Sequence, residues 1–523
     1  MALGDRQRRL VWRGLVLGFS GLSSVFAQPA EDAAAVRDSV RAYRAAHEIE
    51  IVRELAELLA LPNVAADLDQ IRRNADHIVQ MLERRGIAAR LLELEGSPPA
   101  VYGELPAPGA ERTVIVYAHY DGQPVDPAEW TGQPWQPVVR DGDLAAAAKE
   151  VPWAGLKAPL DPEWRIYARS ASDDKAPIVG WLTAIDALRA AQIPISVHLK
   201  FFFEGEEEAG SPHLRDLLQQ HADLLQADGW LLCDGPVHQT RRMQVFFGAR
   251  GTTDLEMTVY GPSRQLHSGH YGNWAPNPIQ LLTELISSMR DRDAKITIQG
   301  FYDDVRPLSG SERRALAEMP EVDADLRRSL GLAWSEGSPQ ALGERILQPA
   351  LNLRGILGGH VGAAATNAIP VSASASIDFR LVPDQTPARV RELVEDHIRR
   401  QGFFVLHQPP DDEIRRAQKR IIQLEWGAGY PPARTSMDLP VVQAIVAILQ
   451  QTVGTPIVKM PSLGGSVPMY LFLDLLKTPV IGVPIANHDN NQHAANENLR
   501  LQNLWDGIEI YAGILARLGR SWR

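Results

Sequence analysis

Residues 201–211 (FFFEGEEEAGS) constrain the fold of this 523-residue chain more than any other stretch. An aromatic, apolar run reads as a buried strand, and it stops at Glu204-Gly205 before three consecutive carboxylates, Glu206, Glu207 and Glu208. Like charges on adjacent residues repel, so a fold that gathers them at a strand end is expected to hold a cation there. The run therefore points to a metal site in which one glutamate binds and a neighbour moves protons. Composition narrows the other ligands. The single cysteine, Cys233, excludes an intrachain disulfide framework and a multi-thiolate zinc site, leaving histidine and carboxylate as donors. A net charge of −11 gives no basic face for nucleic acid.

The rest of the chain supplies a frame for such a site. Residues 113–118 (TVIVYA), 197–203 and 230–233 read as strands, and residues 176–191 read as a helix with Pro177 in its first turn. Strands separated by helices predict an α/β unit with a mostly parallel sheet, whose ligands collect beyond the carboxyl ends of the strands. His119, the glutamate run and Asp234 each follow such an end. Residues 138–165 are expected to form a long surface loop. The pattern then changes: residues 252–260 and 372–382 alternate as half-buried strands, with helices predicted over 276–289 and 387–400. Two β-α-β-like units in a row predict a smaller, ferredoxin-like α+β domain. The α/β pattern returns from about residue 436 and closes on a long amphipathic helix, so the small domain is inserted. The expected divisions are a signal peptide over 1–27, a catalytic domain over 28–246 and 433–523, and a lid or dimerisation domain over 247–432. Residues 303–350 show weak periodicity.

The signal-peptide reading rests on Arg6, Arg8, Arg9 and Arg13, followed by an apolar run to Phe26 and the small-residue site Val25-Phe26-Ala27. The run is shorter than the roughly 18–20 residues a spanning helix needs, so export to the periplasm or medium is expected rather than anchoring.

Taken singly, the candidate ligands have ordinary explanations. His119-Tyr120-Asp121 can be a turn, Asp173-Asp174 a helix cap, Asp234-Gly235 a turn and His493 a loop residue. Taken together, histidines and carboxylates from several strand ends are the inventory of a two-metal hydrolytic site.

The stretches AHYDGQP, ASDDKAP, FEGEEEAGS, LLCDG, LHSGHYG, ATNAIP, IDFRLVP, LGGSVP and QHAANEN occur in this order across most of residues 32–523. In them the chain resembles the carnosinase, aminoacylase and desuccinylase family of dinuclear zinc peptidases (metallopeptidase family twenty), and most of all its carnosinase-type dipeptidase branch. The resemblance implies two Zn²⁺ per subunit, with Mn²⁺ or Co²⁺ also possible. It assigns His119 to one metal, Asp173 as the bridge, Glu208 to the other metal and Glu207 as general base. Asp234 would complete the site of His119, His493 that of Glu208, and Asp121 would orient His119. It places His267, Asn367, Arg380, Gly465 and Ser466 around the substrate, and implies a homodimer in which the lid histidine reaches the neighbouring subunit. Two departures stand out: a longer His119–Asp173 connection, and Ala176 where glycine is usual. The expected activity is hydrolysis of dipeptides or short peptides with a free C-terminal carboxylate. An N-acyl- or N-carbamoyl-amino-acid amidohydrolase is the nearer rival, and a non-catalytic exported peptide-binding protein the remote one.

Overall fold

The computed structural model describes residues 32–522. An eight-stranded sheet forms the centre, in the order Ala88–Leu92, Ala100–Leu105, His198–Glu204, Thr113–His119, Gly229–Leu232, Val480–Gly482, Gln244–Phe246, Val458–Met460. The middle four strands are mutually parallel, while the pairings that join Ala88–Leu92 and Ala100–Leu105 to them are antiparallel. The β-branched and aromatic runs that mark these strands are buried on both faces, as parallel strands covered by helices must be. Register then decides the site. His119 pairs with Glu204 and Tyr117 with Leu232, so three strands end at one level and release their following loops on the same edge.

Helix Lys175–Ala190 is buried on nearly every side, between the sheet and the last helix, Leu501–Ser521. Trp181 stacks on Tyr511 with ring centroids 4.1 Å apart and donates its indole N–H to Cys233 Sγ at 3.1 Å. The lone cysteine is thus a core packing residue.

Between the two parts of this sheet, a five-stranded sheet runs Ala350–Leu357, Ser372–Leu381, Gly251–Tyr260, Ile421–Trp426, Phe404–Leu406. Its first four strands have ferredoxin-like order, and helices Pro278–Met289 and Pro387–Arg400 enclose a separate apolar core. Alternating burial along Gly251–Tyr260 explains why its pattern was legible.

Three regions differ from the sequence reading. Residues 138–165 are not a plain loop: Val138–Arg140, Glu150–Val151 and Arg165–Tyr167 join Asn498–Arg500 in a four-stranded sheet. Strands of two or three residues are too short to show a period. The N-terminal region, whose apolar periodicity over residues 32–85 reads as two helices divided at Pro62, holds three, Ala33–Ala46, Glu48–Leu59 and Leu68–Glu83, because the chain also breaks at His47. Residues 303–350 form the short helices Gly310–Ala317, Asp323–Ser329 and Leu342–Arg345. The first starts on a capping box of Ser309 and Glu312. The other two bury none of their residues, which removes the apolar stripe that periodicity detects.

Candidate metal centre

At the shared strand edge the structure gathers five of the expected side chains into two groups, His119–Asp173–Asp234 and Asp173–Glu208–His493. Donor atoms within each group lie inside 4.8 Å of one another, and Asp173 belongs to both. Its Oδ1 is 2.9 Å from His119 Nε2, and its Oδ2 is 3.1 Å from His493 Nε2. His493 Nε2 is also 3.1 Å from Glu208 Oε2. One carboxylate oxygen for each histidine is the arrangement a bridging ligand needs.

Asp121 ties the histidine strand to the glutamate run. Its Oδ1 lies 3.3 Å from His119 Nδ1 and accepts the Glu207 N–H at 3.1 Å, while Oδ2 accepts the Glu208 N–H at 3.0 Å. The partnered Nδ1 leaves Nε2 to face the metal groups. Glu207 Oε2 stands 4.0 Å from His119 Nε2 and lines the cleft. Glu206 turns away, accepting the N–H of His213 at 2.8 Å and facing its Nδ1 at 2.9 Å. The chain can reverse here because Gly205 has no Cβ, which would collide with the Tyr120 hydroxyl and with Pro98.

Electrostatics argue for a cation. Burial, then the charge of Asp173, pushes the Asp234 carboxyl up to about 7. Burial raises Glu207 well above the ordinary range, with Asp234, Asp173 and Asp121 adding to it. Asp173 stays low: burial opposes ionisation, but His119 and His493 outweigh it. Five acids (Asp121, Asp173, Glu207, Glu208 and Asp234) around two histidines cannot all ionise in a buried site without added positive charge. Three donors per group, two nitrogen and three carboxylate residues in all, fit a pair of zinc ions.

Some functional neighbours escaped sequence reasoning. Gln492 Nε2 donates to Asp173 Oδ2 at 2.7 Å, and Gln123 Nε2 to Glu208 Oε2 at 2.9 Å. Both stand inside quoted motifs, but an amide beside a ligand has no signal of its own. Buried Glu497 accepts the N–H groups of Ser170, Ser172 and Asp173 at 2.9, 3.0 and 3.0 Å, and pairs with Arg169 at 2.8 Å. It joins the segment carrying Asp173 to the loop carrying His493. That loop places His493 at φ +63°, a conformation that side chains other than glycine and asparagine rarely adopt.

A cleft of about 620 Å³ opens over the centre, lined by Glu207, Asp234, His493, Tyr430, Gly465 and Ser466 among others. Arg380 donates to Ser466 Oγ at 3.0 Å and to Asp378 at 3.1 Å. His267 and Asn367 are exposed and do not line this cleft; His267 ends the strand Leu266–His267, and Asn367 immediately precedes its partner strand Ala368–Ile369 in the smaller unit.

The model of the peptidase family M20/M25/M40 matches residues 115–517. The chain belongs to this family. It is a metallopeptidase of a family of dinuclear metal enzymes, and its two groups, His119–Asp173–Asp234 and Asp173–Glu208–His493, are candidate holders of such a pair. It is 26% identical over 481 residues to the Cys-Gly metallodipeptidase dug1 of Schizosaccharomyces pombe, covering 88% of this chain and 94% of the relative. It is 24% identical over 432 residues to the human Beta-Ala-His dipeptidase, covering 81% of this chain and 78% of the relative. Among solved structures, the M20 family metallo-carboxypeptidase Sso-CP2 of Sulfolobus solfataricus superposes with a TM-score of 0.71 at 28% identity, over 90% of this chain and 99% of that one.

The relatives correct one expectation. The Cys-Gly and Beta-Ala-His dipeptidases it resembles do not support export, so periplasmic or secreted placement is withdrawn. The signal-peptide reading of residues 1–27 lies outside the described residues. Among the described residues no helix is long and apolar enough to cross a membrane.

Proposed function

We infer that this protein is a zinc-dependent dipeptidase acting on dipeptides or short peptides with a free C-terminal carboxylate. The observation that carries this is the shared Asp173 between two ligand groups, with Glu207 beside them in an open cleft. A bound metal pair supplies a water whose pKa falls from about 15.7 toward 7 and a positive field for the carbonyl oxygen. Glu207 takes the proton of the attacking water and returns it to the leaving amine, a role its burial favours by raising its proton affinity. Asp121 fixes His119 and the backbone of Glu207 and Glu208 in one frame. Arg380, steadied by Asp378 and Ser466, holds the substrate carboxylate in a bidentate pair, and Gly465 leaves the backbone open to it.

The names of the relatives, a Cys-Gly dipeptidase and a Beta-Ala-His dipeptidase, support dipeptides over acyl- or carbamoyl-amino acids. A homodimer accompanies this reading. Leu353, Ile356 and Leu357, on the edge strand Ala350–Leu357, and nearby Val361 are 40, 53, 74 and 89% exposed. Such an apolar edge is suited to a second copy, which would bring His267 and Asn367 to the neighbouring cleft. Residues 247–432 then serve as lid and dimerisation domain, and 28–246 with 433–523 as the catalytic domain. Light scattering on the purified protein tests this; a fully active monomer would refute it.

The activity test offers zinc-loaded protein Cys-Gly, β-Ala-His, N-acetyl- and N-carbamoyl-amino acids. Dipeptides should turn over at least tenfold faster than the others. Turnover of only the acyl or carbamoyl compounds, or of none, overturns the reading. Glu207→Gln should keep its zinc by elemental analysis and lose roughly 10²–10⁴-fold in kcat; near-normal kcat would move the base elsewhere.

A further inference from the structure

Behind the catalytic cleft lies a second compartment of about 350 Å³, lined by Leu316, Met319, Val322, Ile346 and Met460. Pro236 and Leu463 line both spaces. The partition between them is the strap Leu463-Gly464-Gly465-Ser466. Ser466 and Gly465 face the catalytic cleft. A Cβ on Gly464 would stand 3.4 Å from Ile346 in the rear compartment. The strap is pinned by the Leu463 N–H to the Gly248 carbonyl at 2.8 Å and by the Arg250 N–H to the Gly465 carbonyl at 3.1 Å. Leu463 is half-buried and borders both spaces, so its side chain is the part of the wall they share.

We propose that this compartment is the subsite for an apolar side chain of the substrate's C-terminal residue, and that Leu463 sets how large that side chain can be. The inference rests on the dipeptidase reading, because it takes Arg380 and Ser466 to hold the terminal carboxylate. A residue so held has its α-carbon beside the strap, with Leu463 only three positions from Ser466. The lining is mainly apolar, although Glu321, Asp323, Glu344, His238 and His488 also border it, and the apolar part favours a hydrocarbon or aromatic side chain over an anionic one. The volume is ample for one, since an apolar cavity of about 150 Å³ already holds benzene. The subsite also gives residues 303–350 a role. Their short helices bury little of their own surface, yet Leu316, Met319, Val322 and Ile346 from this segment form the compartment's far wall.

The test compares kcat/KM for Gly-Phe, Gly-Leu, Gly-Gly and Phe-Gly in wild type, Met319→Trp and Leu463→Ala. Because each methylene in an apolar pocket changes discrimination by roughly 10–200-fold, filling the space with Met319→Trp should lower the Gly-Phe to Gly-Gly ratio at least tenfold. Opening the wall with Leu463→Ala should raise that ratio. The Phe-Gly to Gly-Gly ratio should move less than threefold in either variant. Calorimetric binding of free phenylalanine against glycine to the zinc-loaded proteins reads the same compartment without turnover. Met319→Trp should abolish the preference for phenylalanine there too. Equal effects on all substrates, or a change confined to Phe-Gly, would overturn the subsite. Wild type that cleaves no dipeptide but binds phenylalanine in a Met319-dependent way would overturn the dipeptidase reading and leave the subsite standing.

Discussion

Replacing Glu497 by glutamine should loosen the metal centre without altering any ligand. Glu497 Oε1 accepts from the Ser172 N–H, the Ser172 hydroxyl and the Asp173 N–H, and Oε2 accepts from the Ser170 N–H and Arg169. Both partners of the ion pair are buried, with side chains 2% and 1% exposed. Glutamine retains one carbonyl oxygen, but its amide nitrogen must then face at least two donors. Hydrogen bonds to a charged group contribute about 1.5–3 kcal/mol each. Leaving Arg169 buried and unpaired places the cost to the metal-free fold at about 3–5 kcal/mol. The second effect is on zinc. The Asp173 amide is one of the groups Glu497 holds, so the shared ligand loses its anchor. Supporting residues of this kind change metal affinity by about 10–100-fold. Urea unfolding of the chelator-treated protein reads the first effect, and zinc titration against a competing chromophoric chelator reads the second. Zinc affinity within twofold of wild type, despite lowered stability, would refute the link between Glu497 and the metal centre.

Other outcomes follow from the same geometry. Glu206→Gln should cost about 1–3 kcal/mol of stability through its bonds to His213, while kcat on a dipeptide stays within threefold; a loss like that of Glu207→Gln would reverse the assignment within the run. Asp489, in the loop that carries His493, is held down to about 2: burial opposes ionisation, but Asn487, Arg165 and Arg500 outweigh it. A carboxylate with a depressed folded pKa stabilises above its unfolded value near 4 and loses that contribution as pH falls toward 2. The urea midpoint of wild type should therefore fall relative to that of Asp489→Asn between pH 4 and 2, and parallel curves would exclude the effect. Chelation should lower Tm, since zinc at 100 times its dissociation constant stabilises by about 2.7 kcal/mol per site; a Tm indifferent to chelator would exclude a zinc-linked centre.

The opening strand and its acids were readable because burial on both faces and a change from apolar to charged residues are local properties of residues 201–211. The same holds for Thr113–His119 and Gly251–Tyr260, whose side-chain patterns report directly on how many faces are covered. The order of the glutamates within the site came from motif resemblance, and geometry then separated them: Glu206 faces His213, Glu207 the cleft and Glu208 His493. Gln123, Gln492 and Glu497 were not readable. Their roles depend on partners 85, 319 and 324 residues away, at distances only the folded chain sets.

The sequence by itself thus determined the strands and helices of the two larger sheets and the inventory of acids and histidines, because these follow from local periodicity and residue chemistry. Tertiary structure alone decided that three strands end in register, that Asp173 faces both His119 and His493, and that a two-glycine strap divides the cleft from an apolar compartment. Those are relations between segments far apart in the chain, and no local pattern encodes them.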